Sequence, residues 1–215
     1  MIESLTDTRK DLIILTADKN MEFAVKGVLS RQRSLNIREV TADFRVHPEN
    51  DPGCLLRSHE FIKPFINQYE HALVLLDREG SGQDHKSREV LESEIENKLS
   101  ENGWNNRAAA IVIDPELEIW IWSISPHLEN VLGWHGKSPN LRNWLQDRQF
   151  LTGNQIKPTQ PKEALEQALR TAKKARSSSI YQQVAQKVSL ERCTDSSFIK
   201  FKSLLQLWFS ATTSL

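Results

Sequence analysis

Three segments in the first half of the chain are almost wholly apolar and end abruptly in polar residues. They span residues 11–16 (DLIILT), 71–76 (HALVLL) and 107–113 (RAAAIVI). Apolar runs of this length, bounded by turn residues, are typical of parallel strands buried on both faces. Residues 40–46 instead alternate apolar and polar positions, which predicts a half-exposed strand near a sheet edge.

Apolar residues at helical spacing lie between these strands. A first helix is predicted after the first strand, with Asp18 at its N-cap, and a second over 55–69, which Pro64 kinks or splits. A third carries an apolar stripe from Val90 to Leu99 and ends near Gly103. The pair Asp114-Pro115 predicts the N-cap and N1 of a fourth helix. Its apolar face comprises Leu117, Trp120, Ile121 and Ile124.

No strand is predicted after residue 125. Ser125-Pro126 and Ser138-Pro139 each predict a helix start, and a further helix begins at Pro161. Two more helices are predicted over 180–188 and 198–208. The pattern predicts an α/β fold, with a mostly parallel four-stranded sheet flanked by helices over residues 1–150 and an α-helical C-terminal extension over 151–215.

Composition narrows the class of protein. The 215 residues have a formal net charge of zero, which argues against a protein that coats nucleic acid by bulk electrostatics. No apolar stretch is long enough to span a bilayer and the N-terminus lacks a signal segment, so a cytoplasmic location without membrane contact is expected. Cys54 and Cys193 are too few for a disulfide framework and are expected to be packed thiols.

Acidic residues follow three of the four predicted strands. Asp18 follows the first, Asp77 and Glu79 the third, and Asp114, Glu116 and Glu118 the fourth. The carboxyl ends of parallel strands share one edge, so these side chains are expected to meet there. Nucleotide-binding glycine loops, the GxSxG elbow and the HExxH zinc motif are all missing from the sequence.

Carboxylates around open coordination positions suit Mg²⁺ or Mn²⁺ and a bound phosphate. We therefore expect Asp77, Glu79 and Glu116 to be metal ligands, and Asp18, Asp77 and Glu79 to be catalytic. Helix capping and the helix dipole explain Asp18, Asp114, Glu116 and Glu118 equally well, whereas Asp77 and Glu79 precede no immediate helix start.

Basic residues are concentrated later in the chain. Lys173, Lys174 and Arg176 could contact a DNA or RNA backbone, although a solvated helix face explains them too. The tryptophans are expected in the core. Trp122 is out of phase with its apolar neighbours, and its exposure within an apolar patch would favour a protein-binding role.

These motifs resemble the TOPRIM fold of topoisomerases, primases and overcoming-lysogenisation-type nucleases. More narrowly, IDPELEIWIW and PKEALEQAL with the helices after it are similar to segments of a small TOPRIM-related family of uncharacterised bacterial proteins. Some of those relatives lie in anti-phage defence operons, including methylation-associated systems. The resemblance implies a Mg²⁺-dependent nuclease acting on DNA or RNA beside other defence proteins.

The chain departs from the TOPRIM pattern at the first strand. The usual glutamate is replaced by Thr16, and the usual Asp-x-Asp is Asp77-Arg78-Glu79. The alternatives are thus a degenerate TOPRIM-like subunit that binds a partner protein in a defence complex, or a small-ligand or nucleotide-sensing module at the same edge.

Overall fold

A four-stranded, all-parallel sheet forms the centre of the computed structural model, which describes residues 9–123 and 125–211. In space the strands run in the order β2 (Ala42–Val46), β1 (Lys10–Thr16), β3 (Tyr69–Asp77), β4 (Ala108–Ile113). The apolar runs predicted to be doubly buried form β1, β3 and β4, and the alternating segment forms the partly exposed edge strand β2. The predicted α/β fold class is therefore confirmed.

Helices connect the parallel strands. They are α1 (Lys19–Leu29), α2 (Gln32–Leu35), α3 (Asn50–Ile62) and α4 (Arg88–Leu99). The predicted helix over 55–69 is shorter at its end, because Pro64 cannot donate a backbone hydrogen bond and the chain tightens into a 3-10 turn, Lys63–Phe65. Tyr69 is already the first residue of β3.

Two predicted helix starts are wrong. Asp114-Pro115 does not begin a helix. The chain bends there, and the Ile113 and Pro115 carbonyls accept hydrogen bonds from the backbone N–H groups of Arg78 and Glu79 at 2.8 and 3.0 Å. The short helix α5 (Glu118–Ile121) follows, and Ile124, predicted on its face, lies outside the described residues.

The second wrong start is Ser138-Pro139. Helix α7 (Leu141–Asp147) begins later, because the side chain of Asn140 caps it by accepting a hydrogen bond from the backbone of Asn143 at 2.9 Å.

The other C-terminal helices are confirmed. Helix α6 (Pro126–Leu132) begins with Ser125 as its cap and ends at Gly133. Helices α8 (Pro161–Thr171), α9 (Ser178–Lys187) and α10 (Ser196–Trp208) follow, and no strand after β4 is found in the described part of the chain. None of the helices described is long and apolar enough to cross a bilayer.

Helix α9 packs closely on α1. A Cβ atom at Gly27 would lie only 2.7 Å from the Gln182 carbonyl oxygen, so the contact requires glycine. Arg31, just after α1, donates to the Ala185 and Val188 carbonyls at the end of α9. One hydrophobic core includes residues from both sides of the predicted boundary near 150.

Helix α4 covers the exposed edge of β4 with acidic side chains. Glu92 and Glu96 accept hydrogen bonds from the backbone of Val112 and Ala110, each at 3.0 Å. Lys200 of α10 pairs with both carboxylates. Glu92 and Glu96 therefore have a structural role, since their side chains satisfy edge-strand amides that would otherwise stay unpaired.

Candidate functional site

Five carboxylates lie at the carboxyl edge of the sheet, and we call them the acidic edge. Asp18 follows β1, Asp77 ends β3, Glu116 and Glu118 follow β4, and Asp51 comes from the first turn of α3. The charges of the other four each raise the pKa of Asp77. Asp18, Asp77, Glu116 and Glu118 are among the acids that the sequence places after strand ends.

Asp77 is the centre of the acidic edge. Its backbone N–H donates to the Asp51 Oδ1 atom at 2.8 Å, while its own Oδ1 atom is buried and has no hydrogen-bond partner within the described ranges. Burial raises the pKa of Asp77 well above its usual 3.8, and the negative charges of Asp51 and Glu118 raise it further. The ionised carboxylate is therefore costly here unless a cation compensates it.

Asp51 was not among the predicted site residues. Burial raises its pKa, and the charge of Asp18 adds to that effect. In the sequence Asp51 lies in the segment HPENDPG, which directly follows β2. Applying the strand-end rule to all four strands would have identified it.

Asp18 caps a helix. Its Oδ1 atom accepts a hydrogen bond from the backbone of Met21 at 2.8 Å, which stabilises the start of α1. Thr16, the last residue of β1, is fully buried, and its hydroxyl donates to the Asp18 carbonyl at 3.1 Å. The first strand therefore contributes one side-chain carboxylate to the edge, and that carboxylate also has a structural role.

Glu116 is held by the start of α8. It is 7% exposed, accepts a hydrogen bond from the backbone of Lys162 at 2.9 Å, and lies 3.7 Å from the Lys162 ammonium. Burial and the neighbouring Glu118 raise the pKa of Glu116. Burial lowers the pKa of Lys162, but Glu116, Glu118 and Asp77 raise it to a value above normal, so Lys162 is firmly cationic.

Glu118 belongs to a buried network. It accepts hydrogen bonds from the Tyr181 hydroxyl at 2.5 Å and from Arg176 at 3.1 Å, and Arg176 also pairs with Glu166. Burial and the charge of Glu118 raise the pKa of Tyr181. The C-terminal helices thus supply the cations and the hydroxyl that balance two of the five acids.

Asp77 and Glu79 differ in exposure where β3 ends and a glycine turn begins. Gly80 and Gly82 have φ angles of +91° and +79°, which favour glycine and reverse the chain sharply. Glu79 is exposed to solvent, and Arg78 pairs with Asp114 at 2.8 Å. Asp77 is therefore the half-buried member of the predicted pair and Glu79 the solvent-facing member.

The three basic residues predicted to contact nucleic acid have different surroundings. Lys174 donates to the Val131 carbonyl at the end of α6, and Arg176 turns toward Glu118 and the acidic edge, while Lys173 is exposed. Lys162 and Arg176 were not predicted as partners of the acids, since 46 and 58 positions separate them from Glu116 and Glu118. Only the fold reveals such pairs.

Trp122 is 3% exposed, and its indole donates to the Pro161 carbonyl at 2.9 Å. It is a core residue, as predicted for the tryptophans in general. The exposed apolar patch that would have favoured protein binding through Trp122 is therefore not formed by this residue. Cys54 and Cys193 are both free thiols, and Cys54 is buried.

The donor atoms of the acidic edge are all carboxylate oxygens, which suit a hard cation. Within residues 9–123 and 125–211, no three Asp, Glu, His or Cys side chains are already gathered as metal ligands, so the predicted set Asp77, Glu79 and Glu116 is not preassembled. Comparisons of the chain with protein-family models, curated proteins and solved structures found no match. The residues of the acidic edge are therefore the basis for a functional proposal.

Proposed function

We propose that the acidic edge binds Mg²⁺ or Mn²⁺ and that the protein hydrolyses phosphodiester bonds of a nucleic acid, in anti-phage defence. The observation that supports this most strongly is Asp77: a buried carboxylate oxygen without a hydrogen-bond partner, surrounded by four further carboxylates. Such a group is destabilising when ionised, and a divalent cation would remove the cost. The defence role rests on the resemblance in sequence alone.

Asp77 and Asp51 would hold the cation, with the exposed Glu79 as the third carboxylate. Asp77 Oδ1 has no competing partner in the described residues, and the side chain of Glu79 faces solvent. Glu116 is less available, because Lys162 occupies both of its oxygens. A bound cation would neutralise phosphate charge and lower the pKa of a coordinated water.

Lys162 is the residue best placed to contact a phosphate. Its ammonium lies beside Glu116, and its side chain is 51% exposed, so it can reach a ligand without leaving the acidic edge. Arg176 is more firmly engaged by Glu118 and Glu166 and would act by positioning Glu118. Substrate binding would thus use a lysine that the acids themselves keep protonated.

The test has two measurements on the same preparations. Calorimetric titration with Mg²⁺ and with Mn²⁺ is expected to show binding by the wild type, which Asp77→Asn abolishes and the exposed control Asp147→Asn leaves intact. Incubation with single-stranded and double-stranded DNA and RNA is expected to show cation-dependent cleavage that Asp77→Asn and Lys162→Met reduce by about 100-fold or more. Wild type that neither binds a cation nor cleaves any of these substrates would exclude the enzyme.

A non-catalytic subunit of a defence complex is the second candidate. It is favoured by Thr16, whose hydroxyl is bonded to the backbone where TOPRIM enzymes carry a glutamate, and by the ion pairs that already compensate Glu116 and Glu118. Cation binding without cleavage, with Thr16→Glu also inactive, would favour this role over the nuclease.

A further inference from the structure

A second site of a different kind lies among the helices. Between α1, α5, α6, α9 and the segment 188–194 there is a cavity of about 600 Å³. This volume falls within the roughly 300–1,000 Å³ typical of small-molecule sites. Its walls are mainly apolar and include Val28, Leu117, Ile121, Val184 and Phe198.

Two polar atoms in the lining are buried and have no hydrogen-bond partner in the described part of the chain. They are the Ser123 hydroxyl oxygen and the Lys157 ammonium nitrogen. Two other polar groups in the wall already have partners: Tyr181 donates to Glu118, and Trp122 donates to the Pro161 carbonyl. A buried ammonium without a partner costs free energy, so an anion beside Lys157 would be stabilising.

The charge of the lining agrees with an anionic ligand. Besides Lys157, the cavity is bordered by Arg192 and His127, and no Asp or Glu side chain is found among its described lining residues. The absence of acids contrasts with the acidic edge, so the two sites suit ligands of opposite charge.

From these features we infer that the cavity binds a small apolar carboxylate. The hydrocarbon part of the ligand fills the apolar interior, and its carboxylate accepts hydrogen bonds from Lys157 and Ser123. Burial of the hydrocarbon provides most of the affinity, while the charge-assisted bond to Lys157 selects acids over alcohols and amines. This site does not depend on the cation chemistry proposed for Asp77.

Calorimetric titration of the full chain with decanoate tests the inference, with 1-decanol as the matched uncharged probe. We expect decanoate to bind more tightly than decanol. Lys157→Met keeps the apolar stem but removes the charge, so it should weaken decanoate binding about ten- to hundredfold and leave decanol binding unchanged. Ser123→Ala should cause a smaller loss, and Lys157→Arg should restore most of the affinity.

Lys137→Met, at an exposed lysine outside the cavity, is the control and should bind both probes like the wild type. Circular dichroism spectra of each variant confirm that it is folded. The inference is overturned if the wild type takes up no decanoate at millimolar concentration, if decanol binds as tightly as decanoate, or if folded Lys157→Met retains wild-type affinity for decanoate. Failure of the nuclease test would leave this result unaffected.

Discussion

Replacing Asp77 with asparagine is expected to stabilise the protein when no divalent cation is present. Burial and the surrounding acids raise the pKa of Asp77 in the folded protein above its usual 3.8. The folded state therefore holds the proton more tightly than the unfolded chain, and stability falls as the pH rises from 3.8 toward the folded-state pKa. Above pH 3.8 this loss is present, and Asp77→Asn removes it.

The size of the gain follows from the surroundings of Asp77. A buried polar group without a partner costs about 1–3 kcal/mol, and more when it is charged. The asparagine amide can also donate to the carboxylate of Asp51, which already accepts the Asp77 backbone N–H at 2.8 Å. For a chain of this length about 1 kcal/mol corresponds to roughly 2–4 °C, so Asp77→Asn should unfold about 2–12 °C higher than the wild type in EDTA.

Thermal unfolding followed by circular dichroism, in EDTA and in millimolar Mg²⁺, measures this difference. Because a cation that binds only the folded state stabilises it by mass action, Mg²⁺ should raise the unfolding temperature of the wild type and not that of Asp77→Asn. The gap between the two proteins should therefore narrow in Mg²⁺. A lower unfolding temperature of Asp77→Asn in EDTA, or an equal response of both proteins to Mg²⁺, would refute the reasoning, with Asp147→Asn as the control.

Three further substitutions test the structural account. Glu92→Ala leaves the Val112 amide of edge strand β4 without its acceptor, so the free energy of unfolding in urea should fall by about 1–3 kcal/mol. Hydrogen exchange of that amide should also accelerate. The control Glu101→Ala, at an exposed position, should change neither quantity. The hydrogen bond from Arg38 lowers the pKa of Asp11 to about 2, so Asp11→Asn should lower the free energy of unfolding by about 2 kcal/mol near neutral pH. This penalty should vanish as the pH falls from about 4 to 2. An equal penalty at every pH in a series of urea titrations would contradict the ion pair. Tyr181→Phe removes a donor from buried Glu118 and should cost about 1–2 kcal/mol in urea unfolding, and no loss would mean that water replaces the hydroxyl.

The hydrophobic pattern was sufficient to predict the sheet, because hydrophobic periodicity depends on burial and the apolar residues at the centres of β1 and β3 are fully buried. Helix starts that rested on proline were less dependable. Pro126 and Pro161 begin helices, whereas Pro115 does not, because the chain bends after β4 and its backbone pairs with Arg78 and Glu79. Local capping signals cannot report such a tertiary contact.

The acids of the candidate site could be predicted from the sequence, whereas the cations that pair with them could not. Strand ends identified Asp77, Glu116 and Glu118 because parallel strands end at one edge. Lys162 and Arg176 determine which acids are paired with a cation. Both lie far from Glu116 and Glu118 in the sequence, so the sequence does not reveal the pairing. Arg176 of the predicted basic cluster pairs with Glu118 and Glu166, and a basic run in the sequence does not indicate such a pairing.

The C-terminal part of the chain supplies the cations that pair with two acids of the candidate site. Lys162 from α8 and Arg176 from the α8–α9 connection form salt bridges with Glu116 and Glu118. Asp51 and Asp77 form no salt bridge with a described residue, and the charge of Lys162 acts on them only from beyond salt-bridge distance. The uncompensated charge is therefore concentrated on Asp51 and Asp77, both of which have raised pKa values. A divalent cation would gain most by binding there, and that is why Asp77, more than the solvent-facing Glu79, is the residue on which the nuclease proposal depends.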